Sequence, residues 1–407
     1  MMFILRGEYW YIMSTTNKEY DVYYSTGGGS LVGGGADVWV NHWIEEIAPK
    51  LKVTPKLMIH RNKPIVNWTE EKHKNFKKRV DRGEQGNSGR QVHKKIEKTF
   101  KDTAKKIDKT PPEIKKRTYK DVLKTELKHY WQGDNPEEFG EILNGARRIH
   151  ILHGYYHPHK YIRDNKDKIY TNAVHCNVSS ALKASFLLSL KTGFNFAMSP
   201  NWETEIVGYA KNSFWIGVDK PNLDNEHNDK ILHIPNFYEF RRNYDVTDNN
   251  TVGFASRCET RKCPHFLAGI DSEFFTDPKD VKWWRRNIGT DTSKWKVFTF
   301  KWENIERFYH REWGISHSAH IVEPFGYSIF QAIDYGKVPI LAGDWLTEYE
   351  YPFRASNPVE FREQYKKLCE VSLDGRRNLL WPLREYLTNK FDNKEEWTEK
   401  MLKLYNE

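Results

Sequence analysis

A chain of 407 residues is too long for one ordinary core and fits two domains of about 150–200 residues each. Four cysteines in that length build no disulfide framework, and no run of about 18 apolar residues is present, which excludes the disulfide-stapled and membrane-spanning classes. The net charge is +9, yet the segment from His60 to Tyr130 holds 22 Lys/Arg against 10 Asp/Glu, so the basicity belongs to one region and points to a particular acidic partner.

The opening from Met1 to Met13 is apolar for only a few residues and lacks a small-residue cleavage site. It reads poorly as a signal peptide, Met13 offers a second start, and a reducing cytoplasm is the expected location. Residues 20–26 (YDVYYST) predict a strand, followed by a glycine-rich turn and an amphipathic helix over 36–48. Residues 57–60 predict a second strand. From Arg61 to about Glu141 the alternation stops and a Lys-rich, partly helical insert takes over. Strands then follow at 148–152, 196–198 and 231–235, with a helix over 178–190. The second half repeats the logic, with strands at 251–256, 295–300 and 338–341 and helices beginning at 264 and spanning 327–335. Residues 395–405 predict a final helix with Trp397, Met401, Leu402 and Tyr405 on its apolar face. This pattern predicts an α/β architecture of two doubly wound, Rossmann-like domains facing a nucleotide-binding cleft. The expected bounds are 13–235, with the insert over 61–145, then 236–390, and a helix at 391–407 crossing back.

Three segments carry chemistry. The turn from Gly27 to Val38 (GGGSLVGGGADV) lies between a strand and a helix, where glycines let the backbone approach a ligand and helix N–H groups face phosphate. A plain flexible turn reads the same way. In Ser256 to Lys262 (SRCETRK), Arg257 and Lys262 converge if the chain turns between them, and two cations stabilise a leaving diphosphate. An exposed basic loop is the bland alternative. In Val322 to Leu341 (VEPFGYSIFQAIDYGKVPIL), a Glu precedes a glycine turn that opens a helix. Its carboxylate suits sugar hydroxyls, and the N–H groups of Phe325 and Gly326 suit the donor.

Taken in this order, the segments resemble the retaining GT-B glycosyltransferases, the group that includes glycogen synthase. Gly33-Gly34-Gly35-Ala36-Asp37-Val38 looks like the family's glycine loop, and Ser256-Arg257 with Lys262 has its Ser-Arg…Lys spacing. Glu323-Pro324-Phe325-Gly326 with Tyr335-Gly336 and Pro339 looks like its donor-sugar loop. Met198-Ser199-Pro200 with Glu205-Ile206, and Ile234-Pro235-Asn236, are similar to its strand–helix junction and interdomain segment. The resemblance implies a nucleotide sugar, a UDP-sugar first, as co-substrate, with no metal or other cofactor. It implies that Gly33, Gly34, Gly35, Arg257 and Lys262 hold the diphosphate, and that His153 and Glu323 serve the reacting sugar. Phe325, Gly326 and Gln331 would complete the donor site. Three positions depart from the pattern: Leu31 replaces a lysine before the glycine loop, Gln331 replaces a second Glu, and Cys263 replaces a Gly.

Histidines 150, 153, 157 and 159, with His175 and Cys176, crowd one region, as do Cys258, Cys263 and His265. Neither set has the spacing of a zinc site, so no metal is expected. The acceptor belongs with the basic insert, whose Lys77, Lys78, Arg79, Lys94, Lys95, Lys115, Lys116 and Arg117 can follow a polyanion. Trp68, His93, Tyr119, Tyr130 and Trp131 supply stacking groups. In architecture this resembles the T-even phage DNA glucosyltransferases, the α-glucosyltransferase among them, and implies duplex DNA bearing hydroxymethylated cytosine as acceptor. Peripheral contact with an anionic membrane, by a glycan- or lipid-modifying transferase, is the alternative. A solvated helical insert without a partner stands beside both.

Overall fold

The computed structural model describes residues 20–25, 35–53, 55–59, 136–153, 159–174, 206–220, 228–258, 260–299, 305–320 and 323–407. The expected helix at 178–190, the strand at 196–198 and the basic insert up to residue 135 lie outside the described residues.

Two six-stranded sheets, every described pairing parallel, form the two halves. The first contains β1 (Asp21–Ser25), β2 (Pro55–Ile59), β3 (Arg148–His153), β4 (Ile169–Val174), β5 (Asn212–Trp215) and β6 (Ile231–His233), in the order β2-β1-β3-β4-β5-β6. A parallel sheet is covered on both faces, so its central strands are buried throughout, as β1 is at all five residues. Helix α1 (Gly35–His42) continues through a wider turn at Trp43–Ile47 and a tight one at Ala48–Lys50. Helices α2 (Pro136–Asn144) and α3 (His159–Asp164) precede and follow β3 in the chain.

The second sheet contains β7 (Val252–Phe254), β8 (Ser272–Thr276), β9 (Trp295–Thr299), β10 (Ile315–Ser318), β11 (Val338–Ala342) and β12 (Arg354–Ala355), in the order β12-β11-β10-β7-β8-β9. Its helices are α4 (Pro278–Trp283), extended by a wider turn at Trp284–Ile288, α5 (Ile305–Tyr309), α6 (Tyr327–Asp334), α7 (Pro358–Cys369) and α8 (Leu373–Phe391). The helix expected from residue 264 is a single tight turn, Pro264–Leu267. One contiguous core joins β7, β10, β11, α6 and α8.

The last helix, α9 (Lys394–Asn406), packs on the first sheet. Its Trp397, Met401, Leu404 and Tyr405 share a core with Tyr23, Trp39 and Trp43. Trp397 meets Trp39 edge-on at 5.6 Å, and Lys394 pairs with Glu46 at 2.6 Å.

Candidate donor site at the strand crossover

In the second sheet the chain runs outward one way from β7 and the other way from β10. Open α/β sheets bind ligands at such a switch point, beyond the carboxyl ends of the strands. The loop after β7 carries Arg257 and Lys262, and the loop after β10 carries Glu323. The fold brings these two sequence motifs together, because Lys262 Nζ and Glu323 Oε2 form an ion pair with both side chains largely buried.

The Lys262 loop is held by its backbone. Cys258 N–H donates to Thr276 Oγ1 at 3.2 Å, and Trp284 Nε1–H donates to the Cys258 carbonyl at 2.7 Å. Arg257, next to this anchored residue, is exposed. Cys263 adopts φ +51°, a left-handed conformation that explains a Gly at this position in the family it resembles. The Cys263 carbonyl accepts from His317 Nε2–H at 2.9 Å, while His317 Nδ1 accepts from the Ala319 N–H at 3.2 Å. Both ring nitrogens are therefore committed in one neutral tautomer, and burial pushes the His317 pKa down to about 4. His320, also buried, donates from Nδ1 to Glu323 Oε2 at 3.3 Å. Burial, with the Lys262 charge adding to it, holds the His320 pKa well below the ordinary histidine range. Glu323 is thus gripped by a cation and a neutral imidazole.

Gly326 sits at φ +84°, where a Cβ would lie 2.9 Å from Ile329 Cδ1 and 3.0 Å from Glu323 Cγ. Its carbonyl accepts from Ile329 N–H at 2.7 Å, which starts α6. The Phe325 ring is buried against Phe330 at 4.6 Å, so its contribution to a ligand is limited to the main chain. Gln331 stands half-exposed in the second turn of α6.

In the first sheet the direction reverses between β1 and β3. Gly35 opens α1, whereas Gly33 and Gly34 lie outside the described residues. His153 ends β3, buried, in register with Ser25 at the end of β1. Trp39 Nε1–H donates to the Leu152 carbonyl at 2.9 Å and ties α1 to the same strand end. His150 belongs to the core, with Nδ1 2.8 Å from Thr171 Oγ1 and its ring stacked on Tyr23 at 4.4 Å. His265 stacks on Trp284 at 5.4 Å. Among the described residues no group of three His, Cys, Asp or Glu side chains is placed to hold a metal. His157, His175, Cys176 and the acceptor candidates Lys77, Lys78, Arg79, Lys94, Lys95, Lys115, Lys116 and Arg117 lie outside the described residues.

Four residues escaped the sequence reading. His317 and His320 position the Lys262 and Glu323 loops, and a His three residues before the Glu was the available signal. Asp219, just past β5, accepts from the N–H groups of Leu346 (2.5 Å) and Thr347 (2.9 Å) in the second half. Beside it Val218 N–H donates to the Pro324 carbonyl at 2.8 Å, so the first half touches the Glu323 loop directly. At the end of α1, His42 stacks on Phe237 at 4.3 Å and reaches Tyr327 Oη at 3.5 Å. Burial pushes its pKa down to about 4. No periodic pattern marks these positions.

The paired parallel sheets, each with its crossover at the carboxyl strand ends, define the GT-B glycosyltransferase fold. No family model matches the sequence, and no curated protein matches it. The fold is similar to that of sucrose-phosphate synthase from Thermosynechococcus elongatus, with a TM-score of 0.58 and 12% identity over 95% of this chain and 98% of that one. S. aureus TarM follows at 0.47 and 13%, covering 64% of this chain and 55% of its own, so the chain spans little more than half the length of TarM. T4 phage β-glucosyltransferase follows at 0.47 and 10%, covering 95% and 100%. At these identities the likeness to the synthase is one of fold, and the two lower scores add nothing to it. No described helix is long and apolar enough to cross a membrane.

Proposed function

We propose that the protein is a retaining, metal-independent glycosyltransferase that moves a sugar from a nucleoside diphosphate donor, a UDP-sugar, to hydroxymethylated cytosine in duplex DNA. The observation that supports the transfer chemistry most is the meeting of Lys262 and Glu323, from separate motifs, at the crossover of the second sheet. Arg257 and Lys262 meet the diphosphate and offset the charge that grows on it as the C1–O bond breaks. Glu323, held by His320, orients the sugar through its hydroxyls, with the main chain of Phe325 and Gly326 and the Gln331 amide completing the donor contacts. His153 supports the sugar from the first half, and Gly33, Gly34 and Gly35 let the backbone approach the donor. The acceptor hydroxyl bonds to C1 on the face the diphosphate leaves and passes its proton to a leaving phosphate oxygen. The basic segment from His60 to Tyr130 supports a polyanionic acceptor, and a phage-encoded enzyme working in host cytoplasm fits that acceptor.

The test is mass spectrometry of hydroxymethylcytosine DNA incubated with the protein and a panel of nucleotide sugars, with the anomeric configuration of the product read by NMR. One added sugar per modified base, in the donor's configuration, is expected. Transfer only to lipid or glycan acceptors would move the acceptor assignment to the membrane reading, and inversion would remove the retaining one.

A further inference from the structure

We infer that the second half carries its own nucleic-acid contact surface, the exposed face of α4 and its extension, which continues the charge of Arg257 outward from the donor site; this rests on the DNA-acceptor reading above. The helix begins one residue after β8, with Asp277 capping the Lys279 N–H at 2.9 Å. Val281 and Trp284 face the core, and the Trp284 bond to Cys258 fixes the helix against the loop that presents Arg257. Lys279, Lys282, Arg285 and Arg286 are all exposed and recur at helical spacing on the outer side. Residues 277–296 hold six Lys/Arg against three Asp.

The cations are available. Among the described residues Lys279, Lys282 and Arg286 form no ion pair, and Arg285 is braced by Thr292 Oγ1 at 2.6 Å without loss of its charge. Lys294 is committed to Asp271 at 3.3 Å and stands apart. The eleven residues of Pro278–Trp283 and Trp284–Ile288 extend roughly 16 Å, enough to follow two or three consecutive phosphates of one strand. Three such cations in a row, on a helix fixed to the loop that carries Arg257, match a phosphodiester backbone running along that helix towards the loop. Contacts of this kind position a duplex without reading its sequence.

The test compares the full chain with the variant K279Q/K282Q/R286Q in duplex binding across a salt series, with hydroxymethylated and plain duplexes. The log–log salt slope should flatten by up to about 2.7 units, alike on both duplexes. UDP affinity should stay unchanged, because none of the three residues belongs to the donor site. The control K366Q/K367Q, on α7, should leave the slope alone. An unchanged slope in the triple variant overturns the surface, as does binding of phosphatidylserine vesicles without binding of duplex. Sugar transfer to another acceptor without duplex binding removes the surface while sparing the transferase. A variant-sensitive salt slope with no transfer from any donor does the reverse.

Discussion

The two halves share six parallel strands and a crossover, but they close their cores differently. The second half is nearly self-sufficient: apart from Val218, its buried core is supplied by residues between Val246 and Phe391. The first imports four large side chains from α9, which the sequence delivers only after the second half is complete. A boundary drawn in sequence is therefore not a boundary in packing. The difference teaches that the crossover joining Lys262 and Glu323 lies within one half, while the integrity of its partner depends on the far end of the chain.

The largest expected effect breaks that dependence. Trp397→Ala should destabilise the first half by about 3–5 kcal/mol, since it opens a cavity against Trp39 and Phe237. Denaturant unfolding followed by amide exchange should show β1 and β3 exchanging early while β7 and β10 keep their protection. Uniform loss across both sheets would refute the asymmetry.

Acid sharpens it next. His317, in the second half, and His42, at the seam, have folded pKa values of about 4, below the ordinary 6.5. Below pH 6.5 the unfolded chain takes protons that the folded chain refuses, so stability is complete above that pH and falls as pH drops towards 4. Each group is worth up to roughly 3 kcal/mol across that window. His317→Gln keeps a donor towards Cys263 and should flatten the acid limb of unfolding for the second sheet only.

Chemistry comes third. Lys262→Ala or Arg257→Ala should lower kcat/KM by about 10²-fold, with the fold intact by circular dichroism. Glu323→Gln and His153→Ala should impair transfer while UDP affinity holds, and loss of nucleotide binding in either would reassign that residue. The smallest effect is expected from Gly326→Ala, about 1–3 kcal/mol from a strained left-handed turn. The added methyl presses on Glu323 Cγ, so turnover should fall more than thermal stability suggests.

Much of the fold was legible where local pattern and burial agree. The strands at β1, β3, β9 and β11 were readable from β-rich runs, and α6 from its glycine turn. Two of the strands that escaped, β8 and β10, bury polar side chains that are satisfied by partners the local pattern does not show. In β10 (ISHS), Ser316 and Ser318 bond each other at 3.0 Å and His317 bonds Cys263, so a polar sequence is buried at no net loss of hydrogen bonds. In β8 (SEFFT), Glu273 is buried because Arg311 grips it. The 19-residue α8 carries Gly375 and Pro382, which argue against a helix locally, yet it is held by Leu380, Leu383 and Leu387 in the core. At the candidate site, Lys262 and Glu323 were visible as motif members. Their mutual pairing, and the histidines behind it, required the crossover that only the fold supplies.

The packing of α9 on the first sheet also sets a timetable for synthesis. Lys52 and its hydrogen-bond partner Asn406 are 354 residues apart. At about 5–20 residues per second, β1 leaves the ribosome roughly 20–70 s before the helix that covers it. Throughout that interval Tyr23, Trp39 and Trp43 lack their cover, while the second sheet has time to assemble on its own. The half made first is therefore the half finished last, and a chaperone acting on the nascent chain would find its binding surface there.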